Sequence, residues 1–592
     1  MRARTQAAVL FAALLAVSIA FYGVGFATGR TTFGSHEYFA SDLFHFHWPL
    51  RTIAARAYKA FELPQRTPLL GFGFPLLAEG QTAVLYPLNV LTLGLLPTAL
   101  AINGSVLLHH ALAGLGTFLL ARHYRLRTGA AALGAVLFAF SGFFMVHARH
   151  LNMPAVAAWL PWLALAIELA WSRPSARTVT GLSVVTAMIV LAGHPQLAHA
   201  HAVFAFVWVL PRLRSSRRRG ALAVACGALV GALLAAPQLL PMFELNALGP
   251  RSAGLGEREA AIADMQLRHL ATFFDPYWFG DPARGTYPPN LPPPHWEIVA
   301  SIGIPGLLLA LSSLWPGRRR SRAPIARLWG VASVFLLLSL GANGPFGNLV
   351  QSMVPGSSYF RFSSRFLLQV AFALSLLAAA AADRWARVAP RLRLAWVLPV
   401  VALADLYRTF AHYNPQTEIS AWTTPPETAR AILKNSAGIV PPRLISIDRE
   451  PMLFRALAQH RPWLADPRPL AQAREILLSN HQATFGLDAI QPYSPLTPLR
   501  ASQVIDALAF LGHDGVGRLS KRGANLFGVE WLVSTVDLGP GYGPRVAGRR
   551  GAPVPKSDRL PSRVRGRRSP RRARRAARER GRAPRRSAIR RA

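Results

Sequence analysis

The sequence predicts a mainly α protein, a polytopic bundle of about 11 transmembrane helices with a small α/β domain outside the bilayer. Three observations lead there. Of the 592 residues, 52% are apolar and 16% charged, and the mean hydropathy is positive, a balance that a soluble domain of this size rarely shows. Apolar runs approaching the length of a bilayer crossing recur between Val9 and Leu406. Between them, arginine clusters fall in alternate loops, as expected when cationic loops resist translocation.

In order, the apolar runs place spans near Val9–Phe26, Ala101–Ala121, Gly129–Val146, Pro154–Ala170, Val179–Ala192, Leu197–Leu210, Gly220–Leu240, Trp296–Leu314, Leu328–Leu340, Phe366–Ala382 and Leu394–Leu406. Ala83–Leu96, with prolines at its edges, reads as a re-entrant or interfacial segment, because a full span there would invert every later loop. These runs define a membrane domain over residues 1–411 with long loops at 27–100 and 243–295.

With Arg2 and Arg4 cytoplasmic, the basic turns become cytoplasmic. They hold Arg122, Arg125 and Arg127; Arg173 and Arg177; Arg212, Arg214, Arg217, Arg218 and Arg219; Arg318, Arg319, Arg320 and Arg322; and Arg384, Arg387, Arg391 and Arg393. Both long loops and everything after Thr409 then lie outside. A cleaved signal peptide is the alternative for the first segment; its length and the spans that follow favour a retained anchor.

The formal charge of +39 does not indicate a nucleic-acid partner. Of the 66 Lys and Arg, 20 lie beyond Thr535 and most others punctuate the spans, so no basic face forms on a folded domain. Cys226 is the only cysteine, which excludes an intrachain disulfide. Residues 412–536 have soluble composition with strand-like stretches at Arg443–Asp448 and Val529–Ser534, the expected extracytoplasmic α/β domain. Residues 537–592 are rich in Arg, Ala, Gly and Pro and cannot bury a core. A disordered basic tail and out-of-frame translation of a GC-rich gene both fit that abrupt change.

A resemblance then emerges from motifs in shared order: Asp42, Pro64 followed by Gly71-Phe-Gly-Phe-Pro75, Gly80-Gln81, Tyr86-Pro87-Leu88-Asn89, the span holding His109, and Phe138-Ala-Phe-Ser-Gly142. Ala158-Trp-Leu-Pro161, Gly193-His-Pro-Gln196, Phe360-Arg-Phe-Ser-Ser-Arg365, Ala404-Asp-Leu406, Gln491-Pro-Tyr-Ser-Pro-Leu496 and Leu526-Phe-Gly-Val-Glu-Trp531 continue the series. Over Met1 to about Val536 the chain resembles the YfhO-like bacterial membrane proteins, a family similar to the GT-C glycosyltransferases. The resemblance implies an integral enzyme of the bacterial inner membrane that moves a sugar from a polyprenyl-phosphate carrier to a cell-envelope glycan, lipid or protein outside the cytoplasm. Members of the family usually close with a further hydrophobic span where this chain turns basic.

Such chemistry requires a carboxylate to take the acceptor hydroxyl's proton and cations to stabilise the departing lipid phosphate. Asp42, in the first outer loop, matches the GT-C catalytic acid; a helix cap or solvated loop residue is the plain alternative. Arg361 and Arg365, with Arg51 and Arg149 behind them, are the candidate phosphate ligands, against snorkelling to lipid headgroups. Four residues apart, Arg361 and Arg365 would share a helix face. Asp275 and Asp281 flank aromatic residues suited to sugar stacking, or simply form turns; Glu297 and Asp405 at span ends imply partners, structural arginines among them. The pairs His45/His47 and His147/His150 and the group His194/His199/His201 lack a zinc ligand series, so no metal site is expected from them. A divalent cation shared by Asp42 and the donor phosphate fits some enzymes of this architecture and not others. A flippase of lipid-linked glycan, with charges in its span centres, and a noncatalytic scaffold are the alternative functions.

Overall fold

The computed structural model describes residues 3–34, 42–213, 217–256, 264–288, 293–315, 323–344, 354–388, 394–436, 440–446, 474–477, 480–511, 517–519 and 525–533. Arg214, Arg318, Arg319, Arg320, Arg322, Arg391, Arg393 and the 537–592 tail lie outside them. The protein is mainly helical, and each expected span falls on helix.

Among the described residues five helical stretches are long and apolar enough to cross a bilayer: Thr5–Ala27, Thr98–His123, Thr128–Val146, Asn152–Ser172 and Ser363–Val388. The chain is therefore a multi-pass membrane protein. The other runs are shorter or broken. Ala176–Leu191 and Ile325–Ser339 are short apolar helices, and Arg218–Leu234 and Ala236–Ala247 meet at a 69° bend. The run from Trp296 reaches helix in two pieces, His295–Ile298 and Ile304–Ser312, and Leu394–Phe410 contains Pro399. The interfacial segment holds a nine-residue helix, Pro87–Leu95.

Sequence explains which helices sit inside. Leu367–Val388 carries only Gln369 and Ser375 as polar residues before Asp383 and is buried almost throughout, as a helix without a polar face must be. It packs on Thr128–Ala139, Ile304–Ser312 and Ile325–Ser339. At the periphery, Arg218–Leu234 presents Leu222, Leu229 and Leu233 outward, a surface suited to lipid.

The two ends of the bundle differ. At one end Glu168 accepts from Arg212, Arg327 and Trp208, and Asp383 pairs with Arg387 and accepts the Arg127 backbone N–H. This is the end of the arginine-rich turns. At the other, Thr31–Phe33 pairs antiparallel with Gln416–Glu418, joining the first long loop to the region after Thr409. That region holds a three-stranded parallel sheet in which Arg443–Ser446 lies between Asp488–Ala489 and Trp531–Val533. The turn His481–Phe485 packs on the helix Trp48–Lys59, where the Arg56 guanidinium donates to the carbonyls of Ala483 and Thr484.

Candidate active site

Asp42 begins a π-helical turn, Leu43–His47, that runs straight into the helix Trp48–Lys59. Such turns are rare and gather at functional sites. Here the aromatic sequence fixes it from above: Phe44 stacks on His481 at 4.1 Å and meets Trp422 edge-on at 4.5 Å, and Trp48 lies 5.5 Å from Trp422. Asp42 is half-buried and accepts a hydrogen bond from the Tyr493 hydroxyl (3.3 Å). Tyr493 is itself held by Asn480, which donates to its carbonyl and accepts from its backbone N–H.

Arg51 lies one helical turn beyond His47 and is 1% exposed. Its Nη1 donates to Asn89 Oδ1 (3.1 Å), and Asn89 donates to the Ala83 carbonyl. Among the described residues its Nε and Nη2 have no partner, and no carboxylate pairs with it. Burial pulls its pKa down to about 10, so it remains a cation at neutral pH. The same burial, with the Arg51 charge beside it, holds His47 well below its usual range. An uncompensated buried guanidinium is costly unless an anion completes it.

The turn His147–His150 and the junction at Gly193–His194 bring further groups to this end. Arg149 is buried with its guanidinium over the Tyr413 ring (5.8 Å). Gly193 adopts φ +88° and approaches the Gly80 carbonyl so closely that a Cβ would lie 2.7 Å from it; only glycine closes this gap. His194 Nδ1 accepts the Leu197 N–H, which puts its ring proton on Nε2, 3.4 Å from Arg365 Nη1. Two donors thus face one another, a geometry that an anionic oxygen would complete.

Arg365 and Arg361 do not share a helix face. Phe362 between them takes φ +60°, the left-handed region, and only Ser363–Phe366 is helical. Both guanidinia lie near the Phe362 ring, at 5.5 Å for Arg361 and 4.7 Å for Arg365. Gln196 ties the turn together by donating to the carbonyls of Arg361 and Phe362 and accepting from Arg365 Nη1 (2.8 Å). Arg365 directs Nε and Nη2 at Glu297 (2.6 Å at the shortest), so Glu297 has the structural arginine as partner. Arg361 instead lines a pocket.

The remaining acids take up local bonding. Asp275 is exposed and accepts the Tyr277 N–H in a turn. Asp281 is buried beside His412 (2.7 Å) and accepts the Ala283 N–H; burial, the largest influence, raises its pKa, but His412, the Ala283 N–H and His295 together lower it. Asp405 accepts the Ile304 N–H at a helix start and lies 3.6 Å from Arg408. Among the described residues no three His, Cys, Asp or Glu side chains converge on a point where a metal could be held.

Three groups escaped the sequence reading. Glu79 lies fully buried in the first loop, accepting from Thr82 N–H, Thr82 hydroxyl and Gln81 Nε2. Asp264 and Tyr493 reach this end from distant segments. Gly80-Gln81 had marked the neighbourhood of Glu79, and Gln491-Pro-Tyr-Ser-Pro-Leu496 that of Tyr493 without assigning it a role; nothing local marked Asp264.

No family model and no curated protein matches the chain. Among solved structures it is similar to the arabinofuranosyltransferase AftD from Mycobacteria (TM-score 0.49, 16% identity), covering 75% of this chain and 30% of that one. It is also similar to ArnT from Cupriavidus metallidurans bound to undecaprenyl phosphate (TM-score 0.42, 13% identity, 82% and 90% covered). A third is the Archaeoglobus fulgidus oligosaccharyltransferase in its apo form (TM-score 0.45, 11% identity, 89% and 69% covered). The chain thus spans under a third of the length of AftD.

Proposed function

We propose that this chain is a GT-C-type glycosyltransferase of the bacterial inner membrane, moving a sugar from a polyprenyl-phosphate donor to an extracytoplasmic cell-envelope acceptor. The observation that carries the reading is Arg51: a buried cation with open donors, on the helix that continues from the Asp42 turn. A lipid phosphate supplies the missing charge and acceptors. Arg149 lies on the same side, and Arg365 adds Nη1 beside His194. Asp42, oriented by Tyr493, takes the proton from the acceptor hydroxyl as that oxygen bonds to the anomeric carbon. The bond from carbon to phosphate oxygen breaks, and the arginines stabilise the released phosphate. A divalent cation, where one is used, would be held by Asp42 and would supply further charge neutralisation for the donor phosphate, and EDTA would then lower transfer. In this reading the N-terminus is cytoplasmic and 412–536 forms an outer α/β domain over the site.

The test uses purified protein and a polyprenyl-phosphate sugar. Asp42→Asn should abolish sugar transfer while leaving abundance and donor binding intact, and Arg51→Gln should lose donor binding. Unchanged transfer in Asp42→Asn would leave the scaffold or flippase reading standing.

A further inference from the structure

A pocket opens between the Gly193–Gln196 junction, the end of the Ile325–Ser339 helix and the Phe360–Phe366 turn, with Arg365 in its wall. Its walls include Gln196, Asp264, Phe360, Arg361, Ser363 and Phe366. Asp264 is 7% exposed. It accepts one hydrogen bond at each oxygen, from the Ser363 hydroxyl (2.7 Å) and the Ala342 N–H (2.8 Å). A carboxylate offers about four acceptor positions, so roughly two remain open among the described residues. Arg361 is half-buried at the same pocket and, among the described residues, forms no ion pair.

A buried acceptor and an unpaired donor thus flank walls that are otherwise largely apolar. Three ligand classes can be compared by their chemistry. An alkyl chain would fill the apolar part but leave Asp264 and Arg361 desolvated without partners. A simple anion would satisfy Arg361 and Arg365, which both line the pocket, but would set a like charge against Asp264 and offer its open lone pairs no donor. A saccharide ring meets every requirement: its hydroxyls both donate and accept, and its C–H face packs on aromatic rings.

The geometry points to a saccharide subsite at Asp264 and Arg361. It rests on the transferase reading and deepens it by assigning a sugar ring to a pocket that shares Arg365 with the place of the carrier phosphate. The ring could arrive on the carrier or as a free glycan, and the two sources are separable.

Full-length protein in nanodiscs is titrated with unsubstituted polyprenyl phosphate, with polyprenyl-phosphate-linked glucose, mannose, galactose and arabinose, and with free trisaccharides of the same sugars. At least one sugar-bearing carrier should bind more tightly than the bare carrier, or one trisaccharide should bind. The first result identifies a donor sugar and the second an acceptor. Asp264→Asn and Arg361→Gln should each weaken that binding about tenfold and leave the bare carrier unaffected; Arg361→Gln keeps the test valid should loss of the Ser363 and Ala342 contacts unfold the Asp264 variant. Wild-type sugar binding in both variants, or no sugar binding across the panel, would overturn the subsite. Absence of bare-carrier binding in the wild type would strike the transferase reading instead.

Discussion

At the scale of single residues, Arg51 and Arg365 are opposites that look alike in sequence. Among the described residues Arg51 is buried without a countercharge, so removing it relieves a desolvation penalty. Arg51→Met should unfold at a temperature no lower than wild type while losing donor binding by about tenfold or more; a lower unfolding midpoint with intact binding would refute its role as a phosphate ligand. Arg365 neutralises buried Glu297, so Arg365→Met should destabilise by about 3–5 kcal/mol. Adding Glu297→Gln should recover much of that loss, measured as a double-mutant cycle. Glu79 gives a pH signature. Burial pushes its carboxyl up from 4.5 to about 7, although bonds from Thr82 and Gln81 pull it back in part. The folded state therefore holds this proton more tightly than the unfolded chain. Its stabilising effect is complete below about pH 4.5 and is lost as the pH rises through 7. Thermal unfolding between pH 4 and 8 should show this decline, and Glu79→Gln should flatten it.

At the scale of elements, close helix contacts depend on residues too small to notice in a hydropathy profile. Gly231 faces the Ala176–Leu191 helix, where an added Cβ would lie 2.5 Å from Thr186 Cβ and 2.6 Å from the Ser183 carbonyl. Gly231→Ala should cost about 1–3 kcal/mol by overpacking, and no change in the unfolding midpoint would mean that the two helices do not pack this way. The apolar runs were legible in the sequence because lipid demands them wherever they occur. Their breaks have local causes that a hydropathy profile hides: Pro237 opens the helix past the 69° bend after Leu234, and Gly303, at φ +76°, precedes Pro305 where the extended step from Val299 ends. The spacing of Arg361 and Arg365 suggested a helix, but Phe362 turns the chain between them, which directs one arginine to Glu297 and the other to the pocket. Asp264 carried no local signal, and the motif beside Glu79 did not single it out, because the significance of both lies in burial. Tyr493 reaches Asp42 across 451 residues of chain, a distance no motif can encode.

At the scale of the whole molecule, the candidate site and the arginine-rich turns occupy opposite ends of the bundle. In a Cys226→Ser background, single cysteines at Glu62 and Glu418 should react with a membrane-impermeant maleimide on intact cells, and one at Ser175 should react only after permeabilisation. Labelling of Ser175 alongside the other two would invert or break the topology. The short ribbon between Thr31–Phe33 and Gln416–Glu418 has a consequence for biogenesis. Its two strands leave the ribosome nearly the whole membrane domain apart, so the first long loop cannot complete this pairing until the helix Leu394–Phe410 has been made. Under the proposed function, assembly around Asp42 would thereby be coupled to synthesis of the whole helical bundle, and a chain stalled earlier would keep that carboxylate in an unfinished setting.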